Sequence, residues 1–138
     1  MVDFEFIDHT ADVGIIAYGR DYPEVFSHAA SAMFSLIADL SAIRETVSRE
    51  ISVNAVNRAE LLVAWLNELL YFCDAERLLF SRFDITRMDD LHLEAVARGE
   101  PIDPIRHDLK TQVKAATYHL LKMEKTREGF RAQVILDI

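Results

Sequence analysis

Cysteine is almost missing from these 138 residues: Cys73 stands alone, so no internal disulfide framework is available. Cys73 falls on the apolar stripe of a predicted helix, where a buried thiol is the expected state. Glycine and proline are scarce as well, at four and three, and no low-complexity segment interrupts the chain. The glycines are too dispersed for a G-x-G-x-x-G or G-x-x-x-x-G-K-[ST] phosphate loop. A G-x-S-x-G nucleophile elbow and a signature Cys–His pair are also missing. A self-sufficient nucleotide-using or acyl-transfer enzyme is therefore poorly supported. No apolar run approaches the ~20 residues of a membrane span, and Asp3 and Glu5 stand where a signal peptide would be basic and then apolar. These absences predict one cytoplasmic domain spanning 1–138, with no membrane association.

Positive charge is the other shortage. The net charge is −8, which argues against autonomous binding to nucleic acid or anionic membrane. Residues 1–105 carry 19 acidic and 8 basic side chains, whereas residues 106–138 carry 4 acidic and 7 basic ones. The basic stretch from Arg106 to Arg131 suits one partner or one phosphate better than a polyanion.

What is present begins with Asp8-His9-Thr10-Ala11-Asp12-Val13-Gly14. It follows an alternating run, Phe4-Glu5-Phe6-Ile7, that reads as an edge or half-buried strand. A strand stopping at Asp8 delivers Asp8, His9 and Asp12 into a turn closed by Gly14, three candidate metal ligands in five residues. The same residue types also make turns by bonding their own backbone. Ile15 to Tyr18 reads as a second strand. Asp21 with Glu24 forms a capping-box pattern, Pro23 suits a first turn, and the apolar spacing predicts a helix to about Asp39. His28, beside that stripe, reads as structural. Thr46 to Ala55 alternates as a half-buried strand. Asn57 and Glu60 repeat the capping logic before the strongest helix, whose Trp65 and leucines are core.

Leu79–Met88 and Leu91–Ala97 predict a hairpin turning at Asp89-Asp90. Gly99 to Pro104 reads as a stiff loop. A long terminal hairpin follows, extended from Val113 to Lys125 and returning from Phe130 to Ile138. Phe130, Ala132, Val134, Leu136 and Ile138 share one face of the last strand. Alternation puts Lys114 and His119 on opposite faces, so both reach one pocket only if a bulge intervenes.

An ordered final strand fixes the Asp137 side chain close to the α-carboxylate of Ile138. Two such groups repel unless a positive charge lies between them. A divalent cation is one solution, and oxygen donors select magnesium, calcium or manganese over zinc. Solvated carboxylates screened by Arg131 or Lys114 are the other. If the first and last strands are neighbours, Asp8, His9 or Asp12 joins Asp137 and the chain end in one site. Lys114 reads either as a point charge for phosphate or as an ordinary surface lysine.

Five blocks carry a resemblance. Asp8–Gly14, Glu60–Leu70, Gly99-Glu100 with Arg106-His107, Val113–His119 and Val134–Ile138 resemble, in order, the blocks of the archease family. The resemblance implies an α+β protein with two helices packed on one face of a mixed, largely antiparallel sheet. It also implies an inserted strand hairpin over approximately 75–98 and a C-terminal strand ending at the terminus. The family role it implies is that of an accessory factor, not an enzyme. Such a factor activates the GTP-dependent tRNA-splicing RNA ligase, promoting ligase guanylylation and repeated turnover. The implied cofactor is a divalent metal ion (calcium, manganese or magnesium) held by Asp12, Asp137 and the carboxylate of Ile138. Asp8 and His9 stand as possible metal or supporting residues. Lys114, with Arg106, His107 and His119, is expected to face phosphate or the ligase, and tRNA is reached only through the ligase. The competing readings are a stand-alone metal-dependent phosphoesterase built on Asp8, His9, Asp12 and Asp137, and a metal-free interaction or chaperone module.

Overall fold

The computed structural model describes residues 2–9 and 12–138, without the side chain of His9. The predicted turn at Thr10-Ala11 thus lies outside the described residues. The fold is α+β, with two helices, α1 (Tyr22–Ile37) and α2 (Arg58–Glu76), and eight strands among the described residues. The strands divide into two sheets, and every described pairing is antiparallel. The first sheet runs in the order β1 (Phe4–His9), β2 (Asp12–Gly19), β8 (Phe130–Asp137), β6 (Ala115–Ala116), with β7 (Lys122–Lys125) also on β8. The second runs β3 (Val47–Asn54), β5 (His92–Pro101), β4 (Leu78–Met88). The expected helices and strands are present, but the sheet is split in two, and residues 75–98 supply most of the second one.

Both helices start where their capping residues dictate. The Asp21 side chain accepts the Glu24 N–H at 2.9 Å, and Asn57 accepts the Glu60 N–H at 2.9 Å, each satisfying a backbone donor that the first turn leaves open. Each helix buries a full stripe: Val25, Phe26, Met33 and Phe34 from α1, and Leu61, Leu62, Trp65, Leu66 and Leu69 from α2. The Trp65 indole N–H donates to the Phe26 carbonyl at 3.0 Å, so the largest core side chain carries no unsatisfied polar group. Even-numbered residues of β8 from Ala132 to Leu136 lie on the core side, as the alternation requires.

Three local expectations change. Gly99 to Pro101 is not loop but the end of β5. A Cβ on Gly99 would lie 1.8 Å from the Leu79 carbonyl oxygen, so only glycine admits β4 at this distance. Gly14 does not close a turn. It lies inside β2, where a Cβ would meet Ile135 Cδ1 at 3.1 Å and Ile7 Cβ at 3.2 Å. The outer arm of the terminal hairpin is broken into β6 and β7. Ala116 pairs with Leu136 and Lys122 with Gln133, so the arm holds five residues where β8 holds two. Leu120, at φ 52°, takes the left-handed conformation that this excursion needs.

Candidate functional site

The site assembles at the end of the first sheet, where the registers of three strand pairs align. His9 is the register partner of Asp12, Asp12 of Asp137, and Asp137 of Ala115. Directly opposed residues of an antiparallel pair project to the same face. Asp12 and Asp137 therefore share the outer face, separated by one inter-strand spacing, with Ile138 following at once. On the row beneath, Gly14 leaves room for Ile135, which is only 3% exposed despite facing outward. The acidic pair thus stands above the buried Ile135, with the exposed Ile7 on the other side of Gly14. The Ile138 side chain packs against the core, which anchors the end of the chain beside Asp137.

Lys114 is brought to the same place through its backbone. Its N–H donates to the Asp137 carbonyl at 2.8 Å, and its side chain is exposed. Asn67 holds this segment from α2. Its amide oxygen accepts the Ala116 N–H at 2.8 Å, and its amide nitrogen donates to the Ala116 carbonyl at 3.1 Å. One side chain thereby substitutes for a neighbouring strand along the edge of β6, and satisfies both main-chain groups there. Asn67 went unassigned in the sequence because an amide on a leucine-rich helix gives no hint of which backbone it meets. The signal was only its polarity beside a buried stripe.

Not every expected residue converges. Asp8 pairs with Val13, which pairs with Leu136, so its register places it on the face opposite Asp12 and Asp137. That alternation separates Asp8 from the acidic pair. The His9 side chain lies outside the described residues, although its backbone occupies the register position beside Asp12. His119 is exposed in the excursion between β6 and β7. The intervening irregularity removes the alternation argument that set it against Lys114.

Arg106 and His107 form a separate cluster, and His107 does not face outward. It is 3% exposed and Glu100 is 6% exposed. The Asp103 N–H donates to His107 Nδ1 at 2.8 Å, so the ring proton belongs on Nε2, which lies 3.0 Å from Glu100 Oε2. Arg106 pairs with the other carboxylate oxygen and also donates to the Ala42 carbonyl at 2.8 Å. The Arg44 N–H donates to Glu100 at 2.6 Å. Burial alone pushes the Glu100 carboxyl up. The hydrogen bonds from Arg106, Arg44 and His107 outweigh it and hold the group at about 2. This network fastens the 102–107 turn to the second sheet. Its physical task is structural, and Glu100 is the buried charge that sequence reading left without a role.

Clefts elsewhere do not reach the acidic pair. One of about 330 Å³ lies beneath residues 109–113, with Ile37, Cys73, Arg77 and Leu109 in its walls. Burial, with Asp74 adding and Arg77 opposing, pushes the Cys73 thiol up to about 11, so it stays protonated and is no nucleophile. Among the described residues no three His, Cys, Asp or Glu side chains form a metal-binding group. No helix is long and apolar enough to cross a membrane.

The fold defines a class: a small α+β protein of two helices on antiparallel sheets, with its last strand at the chain end. Residues 4–138 match the model of the Archease protein family, and the chain belongs to that family. It is 44% identical to the protein archease of Saccharolobus islandicus, with full coverage of both chains. It is 38% identical to that of Methanosarcina acetivorans, over 98% of this chain and 95% of the relative. A solution structure from Methanobacterium thermoautotrophicum superposes with a TM-score of 0.86 at 40% identity, covering 99% of each chain. A crystal structure from Thermotoga maritima, described as an archease and possible chaperone, shares the fold with a TM-score of 0.66 at 20% identity, covering 96% and 94%.

Proposed function

We propose that this protein is a metal-binding accessory factor of a GTP-dependent RNA ligase, promoting guanylylation of the ligase and its repeated turnover. The observation that carries the reading is the register of Asp12 against Asp137 at the end of the chain. Two opposed carboxylates followed by the main-chain carboxylate of Ile138 form an oxygen-only donor set. That chemistry fits a hard divalent cation such as calcium, manganese or magnesium. When bound, such an ion supplies positive charge and oxygen ligation at a phosphate.

The remaining steps belong to the chain itself. The buried Ile135 excludes water from beneath the pair. Asn67 and the Lys114 N–H fix the strand that carries Lys114, so its ammonium is available to a phosphate as a point charge. Phosphoryl-type transfer depends chiefly on positioning and charge neutralisation, which an accessory surface can supply without a catalytic pocket of its own. The position of the pair at the end of a sheet, with Asp137 exposed, suits insertion into a partner's site better than a stand-alone phosphoesterase. The negative charge of the chain favours contact with the ligase over contact with free tRNA.

RNA joining by a cognate GTP-dependent ligase under excess substrate tests this reading, with this protein at a small fraction of the ligase. Product is expected to exceed the amount of ligase, and Asp12→Ala or Lys114→Ala is expected to abolish the gain. Joining that is unchanged by the protein would set the activator role aside and leave a metal-free interaction module.

A further inference from the structure

We propose that the free edge of β1 is a strand-addition surface for an extended, basic segment of a protein partner. The inference rests on the sheet edge and is independent of the metal site. Among the described residues β1 pairs on one side, with β2. The Tyr18 N–H donates to the Asp3 carbonyl at 2.9 Å, which fixes the hydrogen-bonding phase of the ladder. Asp3, Glu5, Ile7 and His9 direct their backbone groups to β2. Phe4, Phe6 and Asp8 direct theirs to the open side. Phe6 is 43% exposed and Ile7 37% exposed, one on each face, so an added strand would find an apolar contact above and below.

The other edges are occupied, irregular, polar or basic, whereas β1 is regular and its carboxylates are its only charged groups besides His9. The edge of β6 is occupied by Asn67. The β4 edge carries two register shifts, and Arg82, Asp84 and Arg87. The outward residues of β3 are Ser48, Glu50 and Ser52, and β7 is bracketed by Lys122 and Lys125. These are the devices by which sheets avoid pairing with other chains. β1, Phe-Glu-Phe-Ile-Asp-His, has no bulge, proline, lysine or arginine.

Charge selects the occupant. Glu5 accepts the Tyr18 hydroxyl at 2.8 Å, and with Asp3 and the exposed Asp8 it makes the edge acidic. A second copy added antiparallel through the Phe4, Phe6 and Asp8 backbone groups would oppose Phe6 to itself, Glu5 to Ile7 and Asp8 to Phe4, leaving Glu5 diagonal to its own copy with no lysine or arginine from either β1. Like charges across a strand pair are destabilising. A segment alternating apolar and basic residues avoids this, setting its basic side chains beside Asp3 and Glu5 on one face and its apolar ones beside Phe4 and Phe6 on the other.

The test uses amide hydrogen exchange on the intact protein, with a synthetic alternating Lys–Val peptide as probe and its Glu–Val counterpart as control. The Lys–Val peptide is expected to slow exchange at Phe4, Phe6 and Asp8 by about tenfold at saturation. The Glu–Val peptide should leave these amides unchanged. Phe6→Pro removes one outward N–H while sparing the bonds to β2, so it should abolish the effect with protection at Glu5 and Ile7 retained. Should that variant not fold, Glu5→Lys supplies the check, by weakening the Lys–Val effect and admitting the Glu–Val peptide. Unchanged exchange with the Lys–Val peptide, or equal slowing by both peptides, overturns the proposal. So does protection of the same amides in a concentration-dependent dimer without peptide, which would assign the edge to a second copy.

Discussion

Asp12 and Asp137 are register partners on adjacent antiparallel strands, two carboxylates opposed across a single inter-strand spacing. Such a pair costs roughly 0.2–1 kcal/mol when nothing lies between the charges. The two variants of the site therefore have an unusual signature. Without added metal, Asp137→Asn should be as stable as the parent or slightly more so. With calcium or manganese at about a hundred times its dissociation constant, the parent should gain ~2.7 kcal/mol, and Asp12→Asn and Asp137→Asn should gain little. Urea denaturation with chelator and with metal reads both effects. A parent indifferent to metal would mean the carboxylates bind none.

The end of the chain offers an independent probe. Ile138 packs its side chain against the core, and in the proposed site its carboxylate is the third oxygen donor. Adding residues after Ile138 converts that carboxylate to an amide and takes one donor from the set. We expect such an extension to weaken the metal-dependent rise in melting temperature and the stimulation of RNA joining. Residues added before Met1 should leave the metal response intact. Equal metal responses from the two extended chains would remove the terminal carboxylate from the site.

These expectations show which parts of the molecule were legible beforehand. The helices were, since Asp21 with Glu24 and Asn57 with Glu60 mark their starts and the apolar spacing marks their faces. The neighbourhood of Asp12 and Asp137 was legible as a possibility, but register is a non-local property and only the pairing of β2 with β8 settled it. That pairing also displaced Asp8, because one residue along a strand changes the face. Gly14 and Gly99 were misread for a related reason. A missing side chain signals either a turn or a close approach, and here Ile135 and Leu79 are the groups that approach. Glu100 and Asn67 were hidden because their partners lie in other elements: Arg44 56 positions away and Ala116 49 positions away.

Glu100 predicts the acid limb of stability. Its carboxyl sits at about 2 in the folded protein against an ordinary value of 4.5. A group with a depressed folded-state value stabilises the fold fully above the unfolded value and loses that contribution as pH falls through the folded one. The stabilisation from Glu100 should thus be complete above about pH 4.5 and vanish progressively towards pH 2. Glu100→Gln keeps the shape but removes the charge-assisted bonds to Arg106 and the Arg44 N–H, at a cost of roughly 1.5–3 kcal/mol near neutrality. Parent and variant should converge as the pH approaches 2. A constant difference down to that pH would mean that the carboxylate charge is not what secures the turn.

Asn67 predicts a coupling between the helical layer and the site. Its two hydrogen bonds to Ala116 close an otherwise open strand edge, one residue from the position opposite Asp137 and two from Lys114. Asn67→Ala leaves the Ala116 N–H and carbonyl to be satisfied by water, costing about 1–3 kcal/mol. Asn67→Asp preserves the acceptor for the N–H but sets a carboxylate oxygen against the Ala116 carbonyl, so it should be no better than the alanine variant. Amide exchange at Ala116 and Lys114 should accelerate in both, while Leu61 and Trp65 in the core remain protected. Because Lys114 is carried on this segment, stimulation of RNA joining should fall further than the loss of folded protein accounts for. Joining that tracks the folded fraction alone would reduce Asn67 to a fastening of the fold. A larger fall would place it in the positioning of Lys114.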